Sequence, residues 1–190
     1  ARSFYLEILT EHVVDEILEA LELARTQLIY ASGGRFYLLL PNTPHVTDSL
    51  NQWQENINQW LVEHFDNRLY LAMGYTECAS QELMEDSSQA FIRVLHGISE
   101  DKQRRFASSL PLLTQLLTPT TDHSREIEQE YLKNEDNAVQ QENISILLHH
   151  LGRDITQADY LVVSRSKSPK SLPLPTLGGG TCYLRAEKKA

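Results

Sequence analysis

The sequence predicts a mixed α/β fold in which helices alternate with short strands. Two β-prone apolar runs flank Gly33-Gly34, and this arrangement is the strongest short-range signal for a β-hairpin. Apolar residues recur at helical spacing on both sides of that hairpin. A further run of strand character, 68–78, follows the second helix. The order helix–strand–strand–helix–strand is that of a ferredoxin-like βαββαβ unit that lacks its opening strand.

Composition limits the classes of protein to consider. The 190 residues are 41% hydrophobic and 23% charged, which is ordinary for a soluble globular protein. No apolar run approaches the roughly 20 residues that span a bilayer, so we expect a cytoplasmic protein without membrane contact. The chain begins Ala1-Arg2-Ser3, without an initiator Met, which is typical of a fragment of a longer protein.

The net charge of −9 is unevenly distributed. Residues 1–118 hold eight basic and sixteen acidic side chains, whereas residues 153–190 hold seven basic and three acidic ones. An acidic body repels phosphate backbones, so direct nucleic-acid binding is expected only of the basic tail. The two cysteines are too few and too far apart to indicate a disulfide framework.

The first three elements follow from local patterns. The periodicity of apolar residues predicts an amphipathic helix over about residues 3–25. The hairpin strands are predicted over 28–32 and 35–40. A second helix is predicted to start near Thr47-Asp48, where a capping residue precedes first-turn negative charge.

The second helix and the strand after it complete the predicted core. The buried stripe of that helix is expected to comprise Leu50, Trp53, Ile57, Trp60 and Leu61. In the strand from Arg68 to Cys78, Gly74 indicates a bulge or a close backbone approach.

The chain is therefore divided into five predicted segments. Residues 1–80 are predicted to form the ferredoxin-like core and 81–118 a helical segment. Residues 119–140 are polar and acidic without an apolar period, and are predicted to be a mobile insertion. Residues 141–164 supply a helix and a strand that return to the core, and 165–190 have the composition of a linker.

Four stretches carry a resemblance to one family. They are Arg2 to Leu6, Tyr30 to Asn42, Lys102 to Phe106, and Leu151 to Val163. Together they resemble the large subunit of type III CRISPR effector complexes of the Csm type. The match covers most of the chain and falls on the first palm domain and the segment after it.

The resemblance implies a fold and a setting for the chain. The family subunit has a nuclease domain of the HD type that cuts single-stranded DNA, two palm domains and a helical C-terminal domain. Its second palm makes cyclic oligoadenylates from ATP, using a Gly-Gly-Asp-Asp hairpin whose carboxylates hold Mg²⁺. ATP and Mg²⁺ are thus implied for the parent protein only. The implied partners are the second palm, other subunits of the ribonucleoprotein and, indirectly, guide and target RNA.

The chain departs from the family at its metal-binding positions. Arg35 and Phe36 stand where the paired carboxylates would follow the two glycines, and no HD motif is present. Residues 119–150 contain no cysteine, so no zinc site is expected. His123, His149 and His150 remain there, but adjacent histidines on a helix face different directions and chelate poorly.

The candidate site is the hairpin tip, with Ser32, Gly33, Gly34 and Arg35 as nucleotide-binding residues. The glycines would let a nucleotide approach the backbone, and an arginine suits phosphate contact. The simpler interpretation is that a two-residue turn needs positive φ. No nucleophile–base pair is found, so no catalytic residue is predicted.

We therefore expect a non-catalytic palm portion of a CRISPR large subunit, which supports ATP binding for synthesis by the second palm. The alternative is a stand-alone ferredoxin-like module that acts by protein–protein contact or regulation. An independent nucleotide cyclase is disfavoured, because Arg35 and Phe36 cannot hold a metal ion.

Overall fold

The computed structural model describes residues 2–65, 68–107, 110–117 and 144–189, and its fold is of the predicted mixed α/β class. Its contacts define two compact units. The first unit comprises Ala1–Leu40 and Thr120–Ala190, and the second comprises Pro41–Pro119. The insertion predicted over 119–140 lies outside the described residues. The boundary at residue 80 stays a prediction.

The elements follow the predicted order at the start of the chain. They are α1 (Arg2–Ala20), a 3-10 helix (Arg25–Gln27), β1 (Leu28–Ser32), β2 (Arg35–Leu38), α2 (Pro44–Phe65), α3 (Ser80–Glu85), α4 (Ser88–Gln103), α5 (Leu110–Leu117), α6 (Ile144–Asp154), β3 (Tyr160–Ser164), β4 (Leu172–Pro175) and β5 (Thr181–Glu187). The segment 81–118, predicted to be helical, contains three helices with breaks between them. Among the described helices, none combines the length and the hydropathy that a membrane-spanning helix needs.

The first unit contains two antiparallel sheets. Strands β1 and β2 form a hairpin, and the other sheet has the order β3-β5-β4. Helix α1 packs against β1, β2 and β4, while α6 packs against β4 and β5. The buried side chains of this unit come from both helices and the C-terminal sheet: Tyr5, Val13, Val14, Ile17, Leu147, Leu148, Leu151, Leu172, Leu174 and Leu184.

The C-terminal segment is not the linker that its composition predicts over 165–190. Residues 172–175 and 181–187 are strands, and Leu172 and Leu174 are 0% exposed. They pair with Leu184 and Cys182 of the neighbouring strand. Leucine and proline alternate here with the period of two that is typical of a strand. Proline usually argues against a strand, but an edge strand tolerates it where the missing N–H would point outward.

The outer edge of β4 is covered by side chains of α1. The hydroxyl of Tyr5 donates a hydrogen bond to the carbonyl of Pro173, and His12 Nε2 lies 2.9 Å from the carbonyl oxygen of Pro175. Just beyond the strand, the backbone N–H of Leu177 donates to the Glu16 carboxylate at 3.4 Å. Burial of the Tyr5 phenol raises its pKa. The helix thus satisfies backbone groups that another strand would otherwise use.

In the second unit, α2 starts earlier than predicted. It begins at Pro44, and Thr43 accepts a hydrogen bond from the N–H of Val46 at 3.4 Å, so Thr43 rather than Thr47 is the cap. Proline is favoured at this first helical position because its N–H would be unsatisfied in any case. The predicted stripe is confirmed, since Leu50, Ile57, Trp60 and Leu61 are buried and Trp53 is partly buried.

The strand predicted from Arg68 to Cys78 is absent, because no described strand pairs with this segment. Side chains take the place of a neighbouring strand. Asn58 accepts from the N–H of Leu71 at 2.7 Å and donates to its carbonyl at 3.0 Å. Asp101 accepts from the N–H of Met73 at 3.0 Å. Polar groups of α2 and α4 therefore hold the segment extended without a sheet.

The close approach predicted at Gly74 is confirmed. A Cβ atom at this position would lie 2.5 Å from the backbone N of Ile98 and 2.6 Å from the carbonyl oxygen of Val94. Beside it, Tyr70 donates to the Asp101 carboxylate at 3.2 Å. Burial, aided by the negative charge of Asp101, raises the pKa of Tyr70 to about 12. The extended segment is thus packed directly onto α4.

Candidate nucleotide-contact hairpin

The hairpin tip is a two-residue turn whose conformation requires glycine. Gly33 and Gly34 have φ values of +62° and +73°, and Ser32 pairs with Arg35 across the turn. Positive φ at both central residues defines the turn type that best matches strand twist. A Cβ atom at either glycine would meet nothing within 4 Å. The glycines are therefore required by the backbone conformation of the turn, and the tip is sterically open.

The strand register places four side chains on one face of the hairpin. Ser32 pairs with Arg35, and two residues further back Tyr30 pairs with Tyr37. Alternate residues of a strand share a face, so these two pairs lie together. The two tyrosine ring centroids are 6.2 Å apart, and Tyr30 is 50% exposed. The hairpin thus combines a polar, cationic tip with an aromatic platform behind it.

The polar groups of the tip are available for a ligand. Ser32 and Arg35 are both exposed. Within the part of the chain that the structure describes, neither side chain forms an ion pair or a hydrogen bond with another residue. A guanidinium presents a planar set of donors that matches phosphate oxygens. The geometry therefore fits an anionic group approaching the open turn.

The same tip lacks the paired carboxylates that commonly hold Mg²⁺. The side chains of Arg35 and Phe36 carry no oxygen atom, whereas sites for hard divalent cations are usually built around carboxylate side chains. Across 2–65, 68–107, 110–117 and 144–189, no group of three or more His, Cys, Asp or Glu side chains is arranged to hold a metal ion. The side chains of the hairpin tip therefore present a cation and a hydroxyl, and no carboxylate.

The remaining histidine candidates are not brought together. His150 is 3% exposed, with Nδ1 2.8 Å from Nη2 of Arg153, whereas His149 is exposed. One ring is buried and the other exposed, so they face different directions as the adjacent spacing predicts, with ring centroids 6.4 Å apart. His123 lies outside the described residues.

The structure gathers all four predicted site residues at the tip and adds one that the sequence analysis missed. Tyr30 is half exposed on the same face, and so is a candidate contact for a base. The signal was present in the sequence, because Tyr30 and Tyr37 are equally distant from the Gly33-Gly34 turn. The strand register of the structure shows that these two tyrosines form a cross-strand pair.

The chain is similar to known proteins over much of its length. The model of the Csm1 subunit domain B matches residues 1–121. The chain is 48% identical over 99 residues to the single-strand-specific deoxyribonuclease Cas10/Csm1 (subtype III-A) of Mycobacterium tuberculosis, covering 50% of this chain and 12% of that protein. It is also similar to a crystal structure of a Csm1–Csm4 cassette in complex with AMPPNP, with a TM-score of 0.56 and 30% identity. That likeness covers 60% of this chain and 16% of the other.

A crystal structure of the Csm1–Csm4 cassette in complex with cA4 is similar to the same extent, with a TM-score of 0.56 and 30% identity. It too covers 60% of this chain and 16% of the other. The chain thus spans about an eighth to a sixth of the length of these relatives. Because the domain model matches more than half of the residues, the chain belongs to the Csm1 family of type III CRISPR large subunits, in the region of domain B.

Proposed function

We propose that this chain is a non-catalytic palm portion of a type III CRISPR large subunit, and that its hairpin contributes contacts to ATP. The observation that carries the proposal is the tight Gly33-Gly34 turn, which is followed by Arg35 and Phe36 in place of a carboxylate pair. ATP bound beside this tip would be turned over by carboxylates of a second palm domain.

The contacts follow from the layout of the outward face. Arg35 and the open glycine backbone would meet the phosphates of the nucleotide. Tyr30, two residues behind Ser32 on the same face, would lie against the adenine ring. The AMPPNP in a similar Csm1–Csm4 cassette supports a nucleotide as the ligand class.

We also propose the partners of the chain from its family. The similar cassettes contain Csm4, so a subunit of that kind is an expected neighbour, together with the second palm. Guide and target RNA would act on this region indirectly. In that setting residues 1–80 would be the palm core, with 81–118 as its helical appendage.

Two measurements with the purified chain test the proposal. Binding of a fluorescent ATP analogue should weaken several-fold in Arg35→Ala, because a charge-assisted contact to phosphate is lost. The matched control is Arg104→Ala, which removes an exposed arginine of the second unit and should bind as the wild type does. Equal binding by both variants would contradict a phosphate contact at Arg35.

The second measurement is product formation. Incubation of the chain with ATP and Mg²⁺ should yield no oligoadenylate by chromatography, because the hairpin carries no carboxylate pair. Product that persists after further purification and disappears in Arg35→Ala would overturn the non-catalytic assignment.

One observation favours the alternative function, a module for protein contact. Ile29, Tyr30 and Leu39 are 53%, 50% and 42% exposed around the hairpin. Exposed apolar groups in one region are typical of interaction surfaces. Sedimentation of the chain with a purified second-palm domain, with and without AMPPNP, separates the two functions. Association that does not respond to nucleotide and is lost in Ile29→Ser with Leu39→Ser supports protein contact, rather than ATP contact, as the role of the hairpin.

A further inference from the structure

The outer edge of β3 is the one strand edge of the C-terminal sheet that the described residues leave uncovered. In the order β3-β5-β4, strand β3 pairs with β5 on one side, and no described strand pairs with its other side. The opposite edge of the sheet, at β4, is covered by hydrogen bonds from Tyr5 and His12 of α1. An uncovered edge presents a row of N–H and C=O groups to which a further strand can bind.

The core face of this sheet extends beyond its helical cover at β3. Val163 pairs with Leu184, so both side chains lie on the same face. Leu184 is 1% exposed, whereas Val163 is 45% exposed. The reason is that α1 packs against β4, and α6 against β4 and β5. Leu161 and Val163 therefore continue the apolar core surface to an open edge.

The sequence around β3 is complementary to itself when two copies run antiparallel. Centred on Val162, such pairing places Leu161 of one copy opposite Val163 of the other, so the apolar residues of the two core faces meet. The same register places Asp159 opposite Arg165 at both ends of the ladder. A shift by one residue would put the core face of one copy on the same side as the outer face of the other. A shift by two would place a charged residue opposite Leu161 or Val163.

The two charged residues are available for this pairing. Asp159 and Arg165 are both exposed, and across the described ranges no ion pair joins either of them to another side chain. The Asp159 carboxylate accepts a hydrogen bond from the backbone N–H of Lys189 at 2.8 Å, which holds it beside the start of β3. Opposite charges directly across a strand pair stabilise the pair, and like charges destabilise it.

We propose that the outer edge of β3 is a self-association site, where a second copy of this chain adds its own β3 antiparallel in the register centred on Val162. The contact joins two three-stranded sheets into one continuous sheet and uses the same residues on both copies. A strand of unrelated sequence would gain the backbone hydrogen bonds but not the matched apolar and charged pairs. The contact uses no residue of the nucleotide hairpin and does not depend on its function.

The dimer should be weak, so it is measured by analytical ultracentrifugation of the full chain over a range of concentrations. A strand of 5 residues on each side buries less than a standard interface, and the net charge of −9 on each copy opposes association. Hydrogen exchange provides a second readout. The amides of 160–164 should become more protected as the concentration rises, while those of 172–175 should not change.

Charge reversal tests the register. Arg165→Asp should weaken the dimer about fivefold or more, because like charges then meet at both ends of the ladder. Adding Asp159→Lys to that variant restores opposite charges and should return association to within about twofold of the wild type. The matched control is Lys170→Asp, an equal charge change at an exposed residue whose φ of +64° aspartate tolerates. It should change association by less than about twofold, because it lies outside the ladder.

A lysine on the edge tests the strand contact itself. Val163→Lys should weaken association about tenfold or more, since a charge on an edge strand blocks pairing with another strand. The matched control is Ile29→Lys on β1, where the side chain is 53% exposed and association should not change. Circular dichroism verifies that each variant folds.

Three results would overturn the proposal. The first is a folded wild type that stays monomeric up to about 1 mM. The second is an equal effect of Arg165→Asp and Lys170→Asp, or a double variant that associates no better than Arg165→Asp alone, since either result removes the register. The third is association that is lost in Ile29→Lys and kept in Val163→Lys, which would assign the contact to the hairpin.

Discussion

The β1–β2 hairpin and the β3–β5–β4 sheet are both antiparallel and belong to the same unit, but they are stabilised differently. No residue of β1 or β2 is buried, whereas every residue of β4 is. The hairpin is stabilised by its turn and by packing against α1, while the C-terminal sheet is covered by α1 and α6. An exposed hairpin leaves its polar tip free for a ligand, and a buried sheet gives the unit its core.

The largest expected difference between the two regions is in core packing. Leu184 is 1% exposed, and Leu184→Ala should lower the free energy of unfolding by about 2–5 kcal/mol, because it leaves a cavity. Leu39→Ala is the matched control beside the hairpin, where the side chain is 42% exposed and the loss should be under about 1 kcal/mol. Urea unfolding of both variants measures the contrast, and equal losses would contradict it.

A smaller effect is expected from the turn itself. Gly33→Val should destabilise the first unit by about 1–2 kcal/mol, since a β-branched residue is strained at a φ of +62°. Gly33→Asn should cost little, because Asn-Gly is a preferred pair for this turn. Thermal unfolding of the two variants tests whether backbone conformation, rather than side-chain volume, decides this position. A similar loss in both would show that it does not.

The hydrogen bond from α1 to the C-terminal sheet should contribute about as much to the free energy of unfolding as an ordinary buried hydrogen bond. Tyr5→Phe removes the donor to the carbonyl of Pro173 and should cost about 0.5–1.5 kcal/mol in urea unfolding. The matched control is Tyr30→Phe, at a half-exposed ring of the hairpin, where we expect no measurable loss.

The same tyrosine predicts a pH dependence. Burial raises the pKa of Tyr5 above its ordinary value of about 10, so the folded state favours the neutral phenol. Its contribution to stability is complete below pH of about 10 and is lost as the pH rises beyond that, because the unfolded chain ionises first. Unfolding followed across alkaline pH should show a shallower loss in Tyr5→Phe than in the wild type. Identical profiles would contradict this.

The smallest effect on stability is expected at the hairpin tip. Arg35 is exposed, so Arg35→Ala should change the free energy of unfolding by no more than about 0.5 kcal/mol while weakening nucleotide binding. A large destabilisation would mean that Arg35 holds the fold, and would remove the argument that its charge is kept free for a ligand.

The comparison also explains which features the sequence could predict. The turn at Gly33-Gly34 and the buried stripe of α2 depend on neighbours within a few residues, and both are confirmed. The face that joins Ser32 and Arg35 to Tyr30 required the pairing register. That register is set by the turn but cannot be seen from composition alone.

The predictions that were wrong depend on distant parts of the chain. Leu172 and Leu174 resemble linker residues beside their prolines, and they are buried only because β5 and two helices cover them. The segment from Arg68 to Cys78 has strand composition, but its backbone is bound by Asn58 and Asp101 instead of a strand. β-propensity is a property of the individual residue, whereas a segment becomes a strand of a sheet only where another strand pairs with it.

The prolines of β4 have a consequence for behaviour at high concentration. An open sheet edge is a template for aggregation, because its free N–H and C=O groups recruit strands of other molecules. On the outer edge of β4, Pro173 and Pro175 have no N–H to offer, and their carbonyls face Tyr5 and His12. This edge is therefore protected against fibril growth and strand exchange, and filaments or swapped dimers of this protein would have to start elsewhere.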